Sequence, residues 1–294
     1  MQSGLRHRWF ILFSIIPAIL VVFGIVLYPL VQTFVYSLKN MDLTSAHQGQ
    51  FVGLKNYTHA LIDSEVWSSI GRTFYFSVVS IILEMILGLL IALLLNEKLR
   101  GITFLRSIII LPWAVPTIVN AAMWKWIYHP EYGALNGILM QLHLISAYRP
   151  WLSNPWLAMN MVIVADVWKM TPFVAIFLLA ALQMNNKSIY EAASMDGAGI
   201  IRRFFTLTLP FLKPTVLVLI VMRTMESFKV FDLIYALTQG GPSNGTMVII
   251  YKAFIETFTN LQFSDGATLS YLIAIIIGIL TFIYVKALKL EEGA

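Results

Sequence analysis

Six apolar stretches, each long enough to cross a bilayer, constrain this chain more than any other feature. They run from Trp9 to about Tyr36, Thr73 to Leu95, Ser107 to Tyr128, Trp156 to Leu182, Phe211 to Leu237 and Gly266 to Val285. A spanning helix needs about 20 predominantly apolar residues. In lipid the backbone must satisfy its own hydrogen bonds, which leaves helices or closed barrels. Continuous runs of this length read as helices. Composition agrees: 59% of residues are hydrophobic and 12% charged, which is too apolar for a solvated globule. The expected fold class is therefore an all-α membrane protein with six transmembrane helices.

The segments between the runs set the topology. Arg6, His7 and Arg8 precede the first run, which is too long for a signal peptide and lacks a small-residue cleavage site. Pro17 and Pro29 are expected to bend it. Residues 39–71 read as an external loop, 96–106 as a short basic loop, and 129–155 as an external segment with Tyr148, Trp151 and Trp156 suited to the interface. Pro112 and Pro116 break the third run, and Gly240-Gly241-Pro242 closes the fifth. An even number of spans puts both termini on one side. That side and its loops carry Arg6, Arg8, Lys98, Arg100, Arg106, Lys187, Arg202, Arg203, Lys213, Lys286 and Lys289. The other side carries Lys39, Lys55, Arg72, Arg149 and Lys252. Eleven against five places both termini in the cytoplasm by the positive-inside rule.

Several chemistries find no residues to carry them. There is no cysteine, so no disulfide or thiolate metal site. No Gly-rich phosphate loop, zinc helix or nucleophile elbow occurs, so no catalytic group, metal or ATP site of the chain's own is expected. Basic residues form no clustered face of the kind nucleic acid needs.

The longest polar interruption on the cytoplasmic side is residues 188–210. Ser188 with Glu191 three residues on is a capping-box pattern, so a helix should begin there. Ala192 and Ala193 favour helix, Asp196-Gly197 signals a turn, and Gly199 loosens the chain again. Ile200, Ile201, Phe204 and Phe205 then recur at helical spacing before Leu209-Pro210. From the residues alone this is either a plain connecting loop or a short helix, a turn and a second helix along the membrane surface.

Glu191-Ala192-Ala193, Asp196-Gly197-Ala198, Phe205 and Leu209-Pro210 resemble, in type and spacing, the EAA loop of permease subunits of bacterial ATP-driven importers. The family is the binding-protein-dependent type I importers, with a MetI-like transmembrane domain. The resemblance covers essentially the whole chain as a single permease domain, 1–294. It implies a core region of about 70–288, the N-terminal span at 9–36, the external loop at 39–71 and a coupling loop at 185–210. It also implies that Ser188, Glu191, Ala192, Ala193, Asp196, Gly197 and Ala198 form a coupling helix that docks on a separate ATPase. Two ATPase subunits holding ATP and Mg, a second permease subunit, more often different than identical, and an external substrate-binding protein complete such a complex. It is sited in the bacterial cell membrane. In that setting the glycosylation-like triplets at Asn56 and Asn244 are discounted.

The fifth run is the second informative stretch. Arg223, Glu226, Lys229 and Asp232 alternate in sign at three-residue spacing inside an apolar segment. Facing lipid, each would cost roughly 2.5–3.5 kcal/mol. They therefore either pair with one another or line a wet path. Phe228-Lys-Val-Phe-Asp232-Leu-Ile-Tyr235 with Thr238-Gln-Gly-Gly-Pro242 resembles a segment of carbohydrate permeases, and Phe51–Tyr57 resembles another. The resemblance implies a di- or oligosaccharide of maltose or trehalose type, with glycerol 3-phosphate as the runner-up. Path candidates are Glu226, Lys229, Asp232, Tyr235, Asn120 and Trp168; Trp113, Trp124 and Trp126 are ordinary interface residues or sugar-stacking groups. Asp166 and Lys169, three apart, are expected to satisfy one another, and Glu84, alone on its span, needs a basic or hydroxyl partner from another helix. Two rival classes are weighed: an ion-gradient transporter, for which Glu84 and Asp166 would be the argument, and an intramembrane enzyme. The loop at 188–210 and the absence of a visible inverted repeat weigh against the first, and charges that look mutually paired weigh against the second.

Overall fold

A computed structural model describes residues 13–43, 48–97 and 100–292. Arg6, His7, Arg8, Trp9 and Lys98, used in the topology above, lie outside them. The helices, in chain order, are α1 (Phe13–Ser37), α2 (Lys55–Ile62), α3 (Ser64–Asn96), α4 (Ile102–Ala114), α5 (Thr117–Ile127) and α6 (Ala134–Gln141). They continue with α7 (Pro155–Gln183), α8 (Lys187–Met195), α9 (Ile200–Ser227), α10 (Asp232–Leu237), α11 (Ile249–Phe254) and α12 (Phe263–Glu292). Extended pairing among the described residues is limited to two isolated bridges, Lys39 with Phe51 and Asp42 with Gln262.

Five of these helices (α1, α3, α7, α9 and α12) are long and apolar enough to cross a membrane, and α4 with α5, bent by 93°, makes a sixth if the pair counts as one span. The bend has a local cause. Pro116 disfavours helical geometry in the residue before it, and Val115 takes an extended conformation, φ −69° and ψ 128°. The largest differences from the expected boundaries fall on two spans. α3 begins at Ser64 rather than Thr73, so the loop expected over 39–71 ends in helix. α9 begins at Ile200 and ends at Ser227, rather than running from Phe211 to Leu237.

Prolines also shape the ladders. α1 carries a π-turn at Val22–Leu27 just before Pro29, and α9 one at Phe204–Thr208 just before Pro210. A proline cannot donate to the carbonyl four residues back. In each case the residue before it bonds five residues back instead, Tyr28 to Phe23 and Leu209 to Phe204. α7, by contrast, runs through Pro172. It starts where Asn154 accepts from the amides of Trp156 and Leu157, with Pro155 at the first helical position.

The described chain forms two compact units. One comprises residues 13–66 with Lys252–Ala274. There Tyr271 donates its hydroxyl to the Leu30 carbonyl at 2.6 Å, and Asn56 bonds the carbonyls of Ser37 and Lys39. A cavity of about 290 Å³ in it is lined by His59, Asp63, Lys252, Glu256 and Asp265 among others. The other unit comprises Trp67–Tyr251 with residues 275–292. Its core is an apolar seam of Ala92 and Leu95 from α3, Val174, Leu178, Leu179 and Leu182 from α7, and Leu212 and Leu219 from α9. Gly88 permits the close approach of α3 to α7, since a Cβ there would fall 2.6 Å from Val174 Cγ1. Within this unit α10 packs on α5 and α7.

Candidate functional site

Two features of the second unit gather most of the candidate residues. The first is α8, between α7 and α9. Its N-cap is Asn186, whose side chain accepts from the Ser188 amide at 3.1 Å and from the Ser188 hydroxyl at 2.9 Å. The expected Ser188–Glu191 capping box is therefore not what starts this helix. The asparagine two residues earlier has the shorter reach to the first free amides and takes the role.

The far end of α8 agrees with expectation. Gly197 sits at φ +76°, Ala198 N–H bonds Ala193 O at 2.9 Å, and Gly197 N–H bonds Ser194 O at 3.1 Å. This is the paired termination that a left-handed glycine permits. Ser188, Glu191, Ala192, Asp196 and Gly197 are exposed, while Ala193 and Ala198 are half-buried. Ile189, Met195, Ile200 and Ile201 are also exposed, leaving apolar surface on both sides of the turn.

The second feature is a buried ion cluster. Arg223 of α9 donates from Nε and Nη2 to the two oxygens of Glu84 on α3, at 2.6 and 2.8 Å. The same Nη2 reaches Asp166 Oδ2 on α7 at 3.0 Å, and Nη1 reaches Glu226 Oε2 at 2.7 Å. Glu84 is 0% exposed and Arg223 2%. The planar guanidinium suits this role, because its fork matches one carboxylate in bidentate fashion and leaves donors for others. Three spans are thereby joined through one cation.

This arrangement corrects two expectations. Asp166 is engaged by Arg223, and Lys169 donates instead to the Trp113 carbonyl at 3.4 Å. The four-charge ladder does not lie on one helix either. α9 ends at Ser227, so only Arg223 and Glu226 share it, while Lys229 and Asp232 fall in the turn after it and at the start of α10.

The other path candidates are spread over neighbouring elements. Lys229, Asp232 and Tyr235 are exposed, and Tyr235 stacks on Phe231 with centroids 5.4 Å apart. Trp168 meets Trp124 edge-on at 5.9 Å. Asn120 is fully buried, and its amide donates to Ala165 O at 3.2 Å, which ties α5 to the turn of α7 that carries Asp166. The sequence did not mark Arg223 as a site residue, although the lone acid Glu84 called for a basic or hydroxyl partner from another helix. Asn185, Asn186, Tyr190 and Thr208 carried no such sign, because hydroxyl and amide side chains near span ends are ordinary.

Long apolar helices tied by a buried ion cluster, with one short polar helix standing out between two spans, define a multi-pass membrane component. Residues 84–289 match the family described as binding-protein-dependent transport system inner membrane component, and the chain belongs to that family. Over 273 residues it is 42% identical to the trehalose/maltose transport system permease protein MalF of Thermococcus litoralis, covering 92% of this chain and 91% of that protein. It is 32% identical to the sn-glycerol-3-phosphate transport system permease protein UgpA of Salmonella typhi, covering 95% and 93%. The fold is that of a chain of a bacterial ABC transporter involved in the import of the acidic polysaccharide alginate, with a TM-score of 0.84, 20% identity and 97% of each chain covered.

Proposed function

We propose that this permease imports a neutral oligosaccharide of the trehalose or maltose kind, driven by ATP hydrolysed on separate subunits. The near full-length identity of 42% to a trehalose/maltose permease carries the reading. In this scheme α8 is the docking element. Glu191, Ala192 and Asp196 are exposed on it, and the capped turn at Gly197 holds its end in one geometry. ATP and Mg²⁺ belong to the partner ATPases, and a second permease completes the path. An external binding protein delivers the sugar; a structural neighbour at a TM-score of 0.83 is a bacterial alginate ABC transporter in complex with an alginate pentasaccharide-bound periplasmic protein. The distribution of lysine and arginine supports a topology with both termini and α8 in the cytoplasm.

Glu226, Lys229, Asp232, Tyr235, Asn120 and Trp168 are the residues assigned to the path. Arg223 would be the natural ligand for a phosphate, but three carboxylates already occupy it. That favours an uncharged sugar over glycerol 3-phosphate. The test is uptake into proteoliposomes holding the complete complex, with ATP inside and binding protein outside. Radiolabelled maltose and trehalose are expected to enter in a vanadate-sensitive manner without an ion gradient, and unlabelled glycerol 3-phosphate is expected not to compete. Uptake that depends on a proton or sodium gradient, or that glycerol 3-phosphate suppresses, would overturn the assignment.

A further inference from the structure

A helix that receives a push is useful only if something stiff carries the push onward. Side-chain hydrogen bonds tie α8 to the chain on either side of it. Asn185, just before the helix, donates its amide to the Tyr190 hydroxyl at 2.9 Å. That hydroxyl lies 2.9 Å from Thr208 Oγ1 on α9. Since the Asn185 Nδ2 group can only donate, the single phenolic proton is free to point at Thr208. Thr208 is 6% exposed, so the bond reaches into the packed base of the span.

The position of Thr208 stems from the Leu209-Pro210 element. Pro210 cannot donate to Thr206 O, and the ladder widens to the π-turn at Phe204–Thr208 that ends on Thr208 itself. The extra residue in that turn rotates the rest of α9 relative to a regular helix. Thr208, the last residue of that turn, is the one that meets Tyr190.

We infer that Tyr190 is a positioning residue which, through Asn185 and Thr208, makes α8 and the base of α9 move as one body. The inference rests on α8 being the docking element. The Tyr190–Thr208 bond then transmits ATPase movement to a span that also carries Arg223. Removing the bond lets α8 tilt while α9 stays, so hydrolysis continues and the path fails to switch.

The experiment measures sugar taken up per ATP hydrolysed in proteoliposomes of the full complex, with labelled maltose and trehalose as probes. Variants are Tyr190→Phe, Thr208→Val, Thr208→Ser and the Phe/Val double. Tyr190→Phe and Thr208→Val are expected to lower sugar per ATP at least fivefold while binding-protein-stimulated hydrolysis stays within about twofold of the parent. The double should be no worse than Tyr190→Phe, because the Tyr190–Thr208 bond is already lost there, and Thr208→Ser, which keeps the hydroxyl, should couple like the parent. A merely structural role would lower assembly and hydrolysis together and leave the ratio alone, and that outcome overturns the inference. So do parental ratios in both singles, or additive losses in the double. A parental complex that hydrolyses ATP without any sugar uptake overturns the importer reading and this inference together.

Discussion

Arg223 donates from three nitrogens to three carboxylates, and the energetic weight of these bonds is unequal. Glu84 and Asp166 are buried, whereas the Glu226 side chain is 47% exposed. Removing one partner of a buried pair leaves an uncompensated charge and costs about 3–5 kcal/mol, while exposed pairs contribute about 0–1 kcal/mol. Arg223→Met is therefore expected to lose most of the folded protein, and Glu226→Gln to retain it, because Arg223 keeps Glu84 and Asp166. Thermal unfolding of the purified permease in detergent, with size-exclusion chromatography as the readout, checks both. Equal losses in the two variants would mean that Glu226 is as structural as Glu84.

At the scale of the element, α8 is bounded by two devices whose removal should act differently. Asn186→Ala removes an N-cap and is expected to destabilise the helix by about 1 kcal/mol, which is roughly a fivefold loss of amide protection over 187–195. Ser188→Ala should be close to neutral, since Ser188 is a bonded neighbour of the cap and not the cap itself. Hydrogen exchange resolves the two. At the other end Gly197 sits at φ +76° with open space around its Cβ position. Gly197→Asn should thus be tolerated, whereas Gly197→Val would meet backbone strain of about 1–2 kcal/mol. Sugar uptake close to parental for the asparagine variant and well below it for the valine variant is the expected result. Equal uptake in both would mean that the left-handed turn is dispensable.

For the whole molecule the testable quantity is sidedness. The chain has no cysteine, so single cysteines report without background. Ser194 on α8 and Ser243 in the loop after α10 are both exposed. In intact cells an impermeant maleimide is expected to label Ser243→Cys, and to label Ser194→Cys only after permeabilisation. Labelling of both from outside would break the assigned topology. The bent pair α4 and α5 is part of the same question, since a span that turns by 93° crosses only if both halves count toward it.

The spans, the break at Pro116, the turn at Gly197 and the family resemblance were all legible in the chain because each is local. Run length, a proline's missing donor and a glycine's freedom act within a few residues. Which charges meet was not local. Asp166 stands three residues from Lys169, yet it bonds Arg223, 57 residues away, and Glu84 bonds the same arginine across 139 residues. Packing along the apolar seam of α3, α7 and α9 brings these groups to one place, and a guanidinium with several donors in one plane outcompetes a nearer ammonium. The same distinction explains Asn186 and Tyr190. Amide and hydroxyl side chains around the ends of spans are common enough to carry no signal. Only the folded backbone shows that one caps α8 and that the other reaches the π-turn raised by Pro210.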